Sequence, residues 1–112
     1  MPRKPRIEYE GAVYRMLNRG DRRQDIFHDH SDRELLLRML GETCGRTGWQ
    51  VHVCCLMSSH FHLVLETPQP NLVAGMHWLT GTYTARCNRR HELVGHLFAG
   101  RKPNHEYALI QP

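Results

Sequence analysis

The stretch "CLMSSHFHLVLETP" (Cys55–Pro68) sets two histidines one residue apart within a run of strand-forming residues. Side chains alternate sides along a strand, so His60, His62, Val64 and Glu66 share one face, and Phe61, Leu63 and Leu65 share the other. The second set is a core face. The first predicts a sheet with one side left open and two imidazoles next to each other on it.

The neighbouring segments extend this reading. "WQVHVCCLM" (Trp49–Met57) is rich in strand formers, and "SS" is short enough to join it to the histidine strand as an antiparallel hairpin. Downstream, Pro68 and Pro70 stop the strand and Asn71 offers an N-cap. Leu72, Met76, Leu79, Tyr83 and Cys87 then recur every three or four residues, predicting a long helix from Leu72 to about His91. Upstream, "AVYRMLNRG" (Ala12–Gly20) alternates apolar Val13 and Leu17 with polar residues and reads as a first strand. After a polar loop, Ser31 and Glu34 form a capping box. The helix they open carries Leu36, Met39, Leu40 and Cys44 and is ended by Gly45 and Gly48. "YALI" (Tyr107–Ile110) supplies a last strand. The order β-α-β-β-α-(β) is that of a split β-α-β unit, an α+β fold with helices on one face of an antiparallel sheet.

The chain has 112 residues, enough for one domain over 1–112. Nothing in it is long and apolar enough to span a membrane, and "MPRKPRIEYEG" lacks a signal peptide's apolar core, so the expected location is cytoplasmic. The first six residues read as a basic arm. Four cysteines (Cys44, Cys54, Cys55, Cys87) without C-x-x-C spacing suggest reduced, mostly buried thiols ahead of zinc or disulfides. The net charge of +4 is clustered. "NRGDRR" carries Arg19, Arg22 and Arg23, while Arg86, Arg89, Arg90, Arg101 and Lys102 lie near the end. Such clusters suit phosphate contacts to a polyanion, although Arg86, Arg89 and Arg90 are equally read as a solvated helix face.

Two imidazoles at i and i+2 can ligate one divalent metal, given further ligands. With nine histidines the spacing also arises by chance, and His28 and His30 repeat it in a loop where solvent exposure is the simpler reading.

Three long stretches resemble the REP-associated tyrosine transposases, an IS200-like group of HUH single-strand DNA nucleases. They are "MPRKPRIEYEGAVYRMLNRGDRRQDIF", "GWQVHVCCLMSSHFHLVLETPQPNLVAGM" and "GTYTARCNRRHELVGHLFAGR". The resemblance implies a ferredoxin-like sheet on which His60 and His62 hold Mg²⁺ or Mn²⁺ against a scissile phosphate of single-stranded DNA carrying hairpins. It also implies a tyrosine that attacks and leaves a 5′-phosphotyrosine link. The family's Y-x-H-L-N-P-like stretch has no counterpart here, so the expectation is a chain lacking the nucleophile helix and a third metal ligand. Tyr83 in the helical stripe and Tyr107 near the last strand read as structural, and neither Tyr9 nor Tyr14 is favoured as a nucleophile. A sheet missing a covering helix would expose apolar surface, which raises the option of a homodimer. The alternatives are a nucleic-acid-binding remnant without chemistry and a metal-binding or regulatory protein unrelated to DNA.

Overall fold

The sheet is organised around β3 (His60–Thr67), a central strand that alternates half-buried and buried residues along its whole length. In this computed structural model, which describes residues 8–21, 24–95, 97–98 and 105–110 (105–107 as backbone only), β3 pairs antiparallel with β2 (Gln50–Leu56) on one side and β1 (Ala12–Arg19) on the other. β4 (His105–Leu109) lies outside β1, so the sheet order is β2-β3-β1-β4. The helices α1 (His30–Thr47) and α2 (Leu72–His91) complete a β-α-β-β-α-β chain. With β3 inserted between β1 and β2, this is the ferredoxin-like split β-α-β arrangement expected from the sequence.

Both helices cover the same side of the sheet. Phe61, Leu63 and Leu65 of β3 join Ala12, Tyr14 and Met16 of β1 in one core with Leu36 and Met39 of α1 and Leu72, Met76, Leu79, Tyr83 and Cys87 of α2. The apolar alternation expected for β1 needs correction. Val13 and Leu17 lie on the open face, and the buried set is Ala12, Tyr14, Met16 and Asn18. Val13 and Leu17 share their face with Arg15 and Arg19, whose charges stay exposed when β1 pairs with β3. The thiols are corrected too: Cys87 is buried and Cys44 partly so, but Cys54 and Cys55 are exposed, because β2 is an edge strand.

The helix ends also differ from expectation. Asp29, not Ser31, caps α1, its Oδ1 accepting the N–H of Asp32 at 2.9 Å. Glu34 instead meets His30 at 3.4 Å. Gly45 stays inside the helix, and Gly48 alone ends it, at φ 79° with its N–H on the Cys44 carbonyl. Asn71 does occupy the N-cap position of α2, yet its side chain accepts from Trp49 Nε1 at 3.1 Å and donates to the Thr47 carbonyl at 3.0 Å. The Glu8 carboxylate takes over the first turn, accepting from Val73 N–H at 2.8 Å. These bonds fix the buried Trp49 ring against Gly75 of α2, where an added Cβ would lie 2.2 Å from Trp49 Cζ2.

A polar cluster joins the start of α1 to the end of α2. The Asp32 side chain has no exposed surface, and it accepts from His28 N–H at 2.8 Å, from Arg90 at 2.6 Å and from His91 at 2.9 Å. Arg90 also bonds both carboxylate oxygens of Asp29, at 3.0 and 3.1 Å. Burial alone would raise the Asp32 carboxyl, but the bonds from His28 N–H, His91 and Arg90 outweigh it and leave it below the usual carboxylate range. Arg90, followed by the Asp32 N–H, lowers Asp29 to about 2.

Two predictions follow from this packing. Gly75→Ala forces a methyl into the Trp49 ring and should cost about 1–3 kcal/mol of unfolding free energy in a denaturant titration. Both aspartates ionise more readily folded than unfolded, so their stabilisation is complete above the ordinary carboxylate range and is lost as pH falls toward 2. Thermal melts between pH 6 and pH 2 should therefore show a shallower acid decline in Asp32→Asn than in the parent, from a lower starting Tm. Equal slopes would assign the acid sensitivity elsewhere.

Candidate metal and nucleic-acid site

The hairpin turn Ser58–Ser59 sets the geometry of the site. Met57 N–H donates to the His60 carbonyl at 2.8 Å, closing a two-residue loop, and β3 starts directly at His60. His60 and His62 then stand on the face away from the helices. Both are half-buried, and their rings meet edge to face with centroids 5.1 Å apart. Ser59 Oγ lies 3.4 Å from His60 Nδ1. Burial first, then the neighbouring His62 and Arg19, hold the His60 imidazole below its ordinary value, so it is neutral at physiological pH with a lone pair available to a metal.

Strand register brings Arg19 to this pair. Arg19 lies opposite His60, and Leu17 lies opposite His62. The loop after Arg19 is fixed to the hairpin turn at both ends. Gly20 N–H donates to Ser59 C=O at 2.9 Å, and Ile26 N–H donates to Ser58 C=O at 2.8 Å. Gly20 is required there, since a Cβ would lie 2.3 Å from the Gln24 carbonyl oxygen. The loop bearing Arg22 and Arg23 therefore leaves and rejoins the fold beside the histidines. Those two residues, like Arg101 and Lys102, lie outside the described residues.

The helix arginines are placed differently. Arg86 faces Glu42 of α1 at 3.9 Å, Arg90 is bound to Asp29 and Asp32, and Arg89 is exposed. All three belong to the helix layer, across the sheet from His60 and His62. Glu66 shares the histidine face but sits at the other end of β3, 3.7 Å from His52. A register shift between Val51 and Val53 makes room for His52 as an extra residue in β2, a bulge that periodicity alone does not reveal. His28 and His30 are both exposed as the sequence suggested, although His30 is the first residue of α1 and not part of a loop.

Of the tyrosines, Tyr14 and Tyr83 are buried on the core face, and the Tyr83 hydroxyl donates to the Ile26 carbonyl. Burial pushes the Tyr83 phenol far above its usual value. Tyr9 is exposed but precedes β1 at the Thr67 end of the sheet, about 23 Å of strand from His60. The Tyr107 side chain lies outside the described residues, although its backbone pairs with Met16. Among the described residues, Asp32, Cys87 and His91 bring three ligating atoms within 4.8 Å of one another, a group the sequence reading missed because Asp32 lies far in sequence from the Cys87–His91 pair of α2. No helix among the described residues is long and apolar enough to cross a membrane.

Comparison with known proteins agrees with this architecture. Among solved structures, a REP-associated tyrosine transposase bound to a REP hairpin superposes with a TM-score of 0.79 at 11% identity, over 100% of this chain and 64% of that one. The chain thus spans less than two thirds of that protein. A crystal structure from Deinococcus radiodurans R1, assigned as a transposase, gives a TM-score of 0.66 at 18% identity, over 99% of this chain and 86% of that one. No curated protein matches. The family model described as "Transposase IS200 like" matches residues 8–108, and the chain therefore belongs to the IS200-like transposase family.

Proposed function

We propose that this domain binds single-stranded DNA carrying a hairpin on the open face of its sheet, with His60 and His62 holding a divalent metal and Arg19, Arg22 and Arg23 contacting phosphates. The observation that supports this most is the edge-to-face imidazole pair on the side of the sheet away from the helices, with Arg19 directly opposite His60. The hairpin carried by the REP-associated relative suggests the class of strand. Two nitrogen donors leave several positions for water and phosphate oxygens, and imidazole suits Mn²⁺ better than Mg²⁺, which favours oxygen. A metal bound there would polarise a phosphate ester for strand cleavage and transfer. The chain's own residues position the strand: Arg19 offers a guanidinium to the backbone, and Gly20 and Ile26, which flank the two further arginines in sequence, are tied to Ser59 and Ser58 of the histidine turn. Arg86, Arg89, Arg101 and Lys102 are secondary phosphate contacts in this reading, and Arg90 would join them only by leaving its two aspartates.

A second reading, strand binding without chemistry, draws support from the tyrosines. A phosphotyrosine link needs an accessible hydroxyl near the metal, and among the described side chains, which do not include Tyr107, Tyr9, Tyr14 and Tyr83 are each buried or distant. The two readings separate when a labelled single-stranded hairpin DNA is incubated with the protein and Mn²⁺. A covalent adduct on a denaturing gel that is lost in His62→Ala establishes cleavage chemistry. Salt-sensitive shifts on a native gel without an adduct establish binding alone. The absence of any shift rejects both.

Binding should weaken as salt rises, and Arg19→Ala should flatten the slope of log K against log salt by about 0.7 if it removes one phosphate contact. An unchanged slope would place Arg19 outside the interface. Mn²⁺ affinity should fall as pH is lowered and protons compete for the imidazole nitrogens, with the His60 proton competing only below its ordinary value. His62→Ala should reduce that affinity about tenfold or more.

A further inference from the structure

The histidines have neighbours on β2 that neither the family membership nor the proposed function uses. Cys55 pairs directly with His62, and Met57, whose N–H bonds the His60 carbonyl, stands beside His60. Residues opposite one another in an antiparallel pair project from the same face, with Cβ atoms about 4.5–5.5 Å apart. The Cys55 and Met57 sulfurs confirm a shared side, lying 3.8 Å apart. Two imidazoles and two sulfurs therefore form a two-by-two block at the open end of the sheet. The Cys55, His60 and His62 ligating atoms are not within 4.8 Å of one another as Asp32, Cys87 and His91 are, but both sulfur residues are exposed and their side chains can turn toward the imidazoles without disturbing the core.

We propose that this block is a site for a thiophilic cation of the Zn²⁺ class, ligated by His60, His62 and the Cys55 thiolate with the Met57 thioether beside it. The inference shares its two histidines with the proposed function and differs in the third ligand. Thiolate with imidazole suits Zn²⁺ and Co²⁺, whereas Mg²⁺ and Mn²⁺ favour oxygen. On ligation the Cys55 S–H gives its proton to solvent as the sulfur–metal bond forms, and no electron is transferred. The thiolate fills a coordination position that a phosphate oxygen would otherwise take, so a thiophilic ion weakens strand binding. The convergent group Asp32, Cys87 and His91 is the poorer site. A cation there would meet Arg90, already 2.6 Å from Asp32, and would have to displace it.

The test is a Co²⁺ titration of the full, reduced chain followed by absorbance, with Zn²⁺ as competitor. The expected result is a near-ultraviolet sulfur-to-cobalt charge-transfer band, bleached by Zn²⁺, lost in Cys55→Ser and in His62→Ala, and kept in Cys54→Ser and Cys87→Ser. A band lost only in Cys87→Ser would move the cation to the Asp32 cluster and overturn the proposal. Co²⁺ binding without a charge-transfer band, still abolished by His62→Ala, would overturn the sulfur ligation while leaving the histidine site standing. No Co²⁺ binding at all, with Mn²⁺ still bound, would also overturn it. Circular dichroism of each variant separates loss of a ligand from loss of the fold.

Discussion

The pairing of β1 with β3 is the constraint on which both layers of the molecule depend. Its ladder runs from Ala12 opposite Thr67 to Arg19 opposite His60, and Gly11 and Gly20 extend it with N–H bonds to Thr67 and Ser59. A slip of one residue would exchange Tyr14 and Met16 for Val13 and Leu17 in the core. It would also move Arg19 off the histidine face. The larger side chains settle the register, because Tyr14, Met16, Phe61, Leu63 and Leu65 all become fully buried in it. Core formation and the assembly of the site are therefore one event. The hydrophobic term that selects the register also aligns Arg19 with His60.

Much of this was legible in the sequence, for an identifiable reason. β3 alternates Phe61, Leu63 and Leu65 with His60, His62, Val64 and Glu66, and α2 has an unbroken apolar stripe, so their periods alone define them. In β1, reading Val13 and Leu17 as the apolar positions overlooks Arg15 and Arg19 on the same face, while Ala12, Tyr14 and Met16 form the more apolar set. Caps failed for a different reason: "DHSDRE" offers several residues able to cap, and the choice of Asp29 rests on Arg90 and His91, some sixty positions away. The cysteines were misjudged because exposure depends on strand order. Nothing within "VCCLM" says that its strand lies at an edge.

Strand order and helix packing also divide the positive charge. In the helix layer, acids accompany the arginines: Glu42 with Arg86, and Asp29 and Asp32 with Arg90. Arg46 lies over the Trp78 ring, 4.3 Å from its centroid. These groups tie α1 to α2, and their charge is largely compensated locally. On the sheet face, Arg15 and Arg19 are exposed on β1, and the carboxylate described there, Glu66, is paired with His52 at the far end. A formal charge of +4 spread evenly would say little about where a polyanion docks. Pairing in the helix layer leaves Arg15 and Arg19 as the described guanidiniums on the side that bears the histidines.

Tyr83 shows how the buried layer supports the open one. As a nucleophile it is badly placed, since burial disfavours its phenolate and its proton is engaged by Ile26. The same bond makes it a tie between α2 and the loop over 20–27, whose Ile26 and Phe27 N–H groups both donate to Ser58 of the hairpin turn. Its ring packs near Phe27 and Phe98, and Phe98 in turn meets Phe61, the residue between the two histidines. A chain of packed aromatics and backbone bonds thus runs from the second helix to the turn that aims His60. Replacing the hydroxyl alone, as in Tyr83→Phe, removes the tie to the loop but keeps the packing beneath Phe61. A loss of strand binding in that variant with the histidine rings undisturbed would mean that the site depends on how the arginine loop is held as much as on the metal ligands themselves.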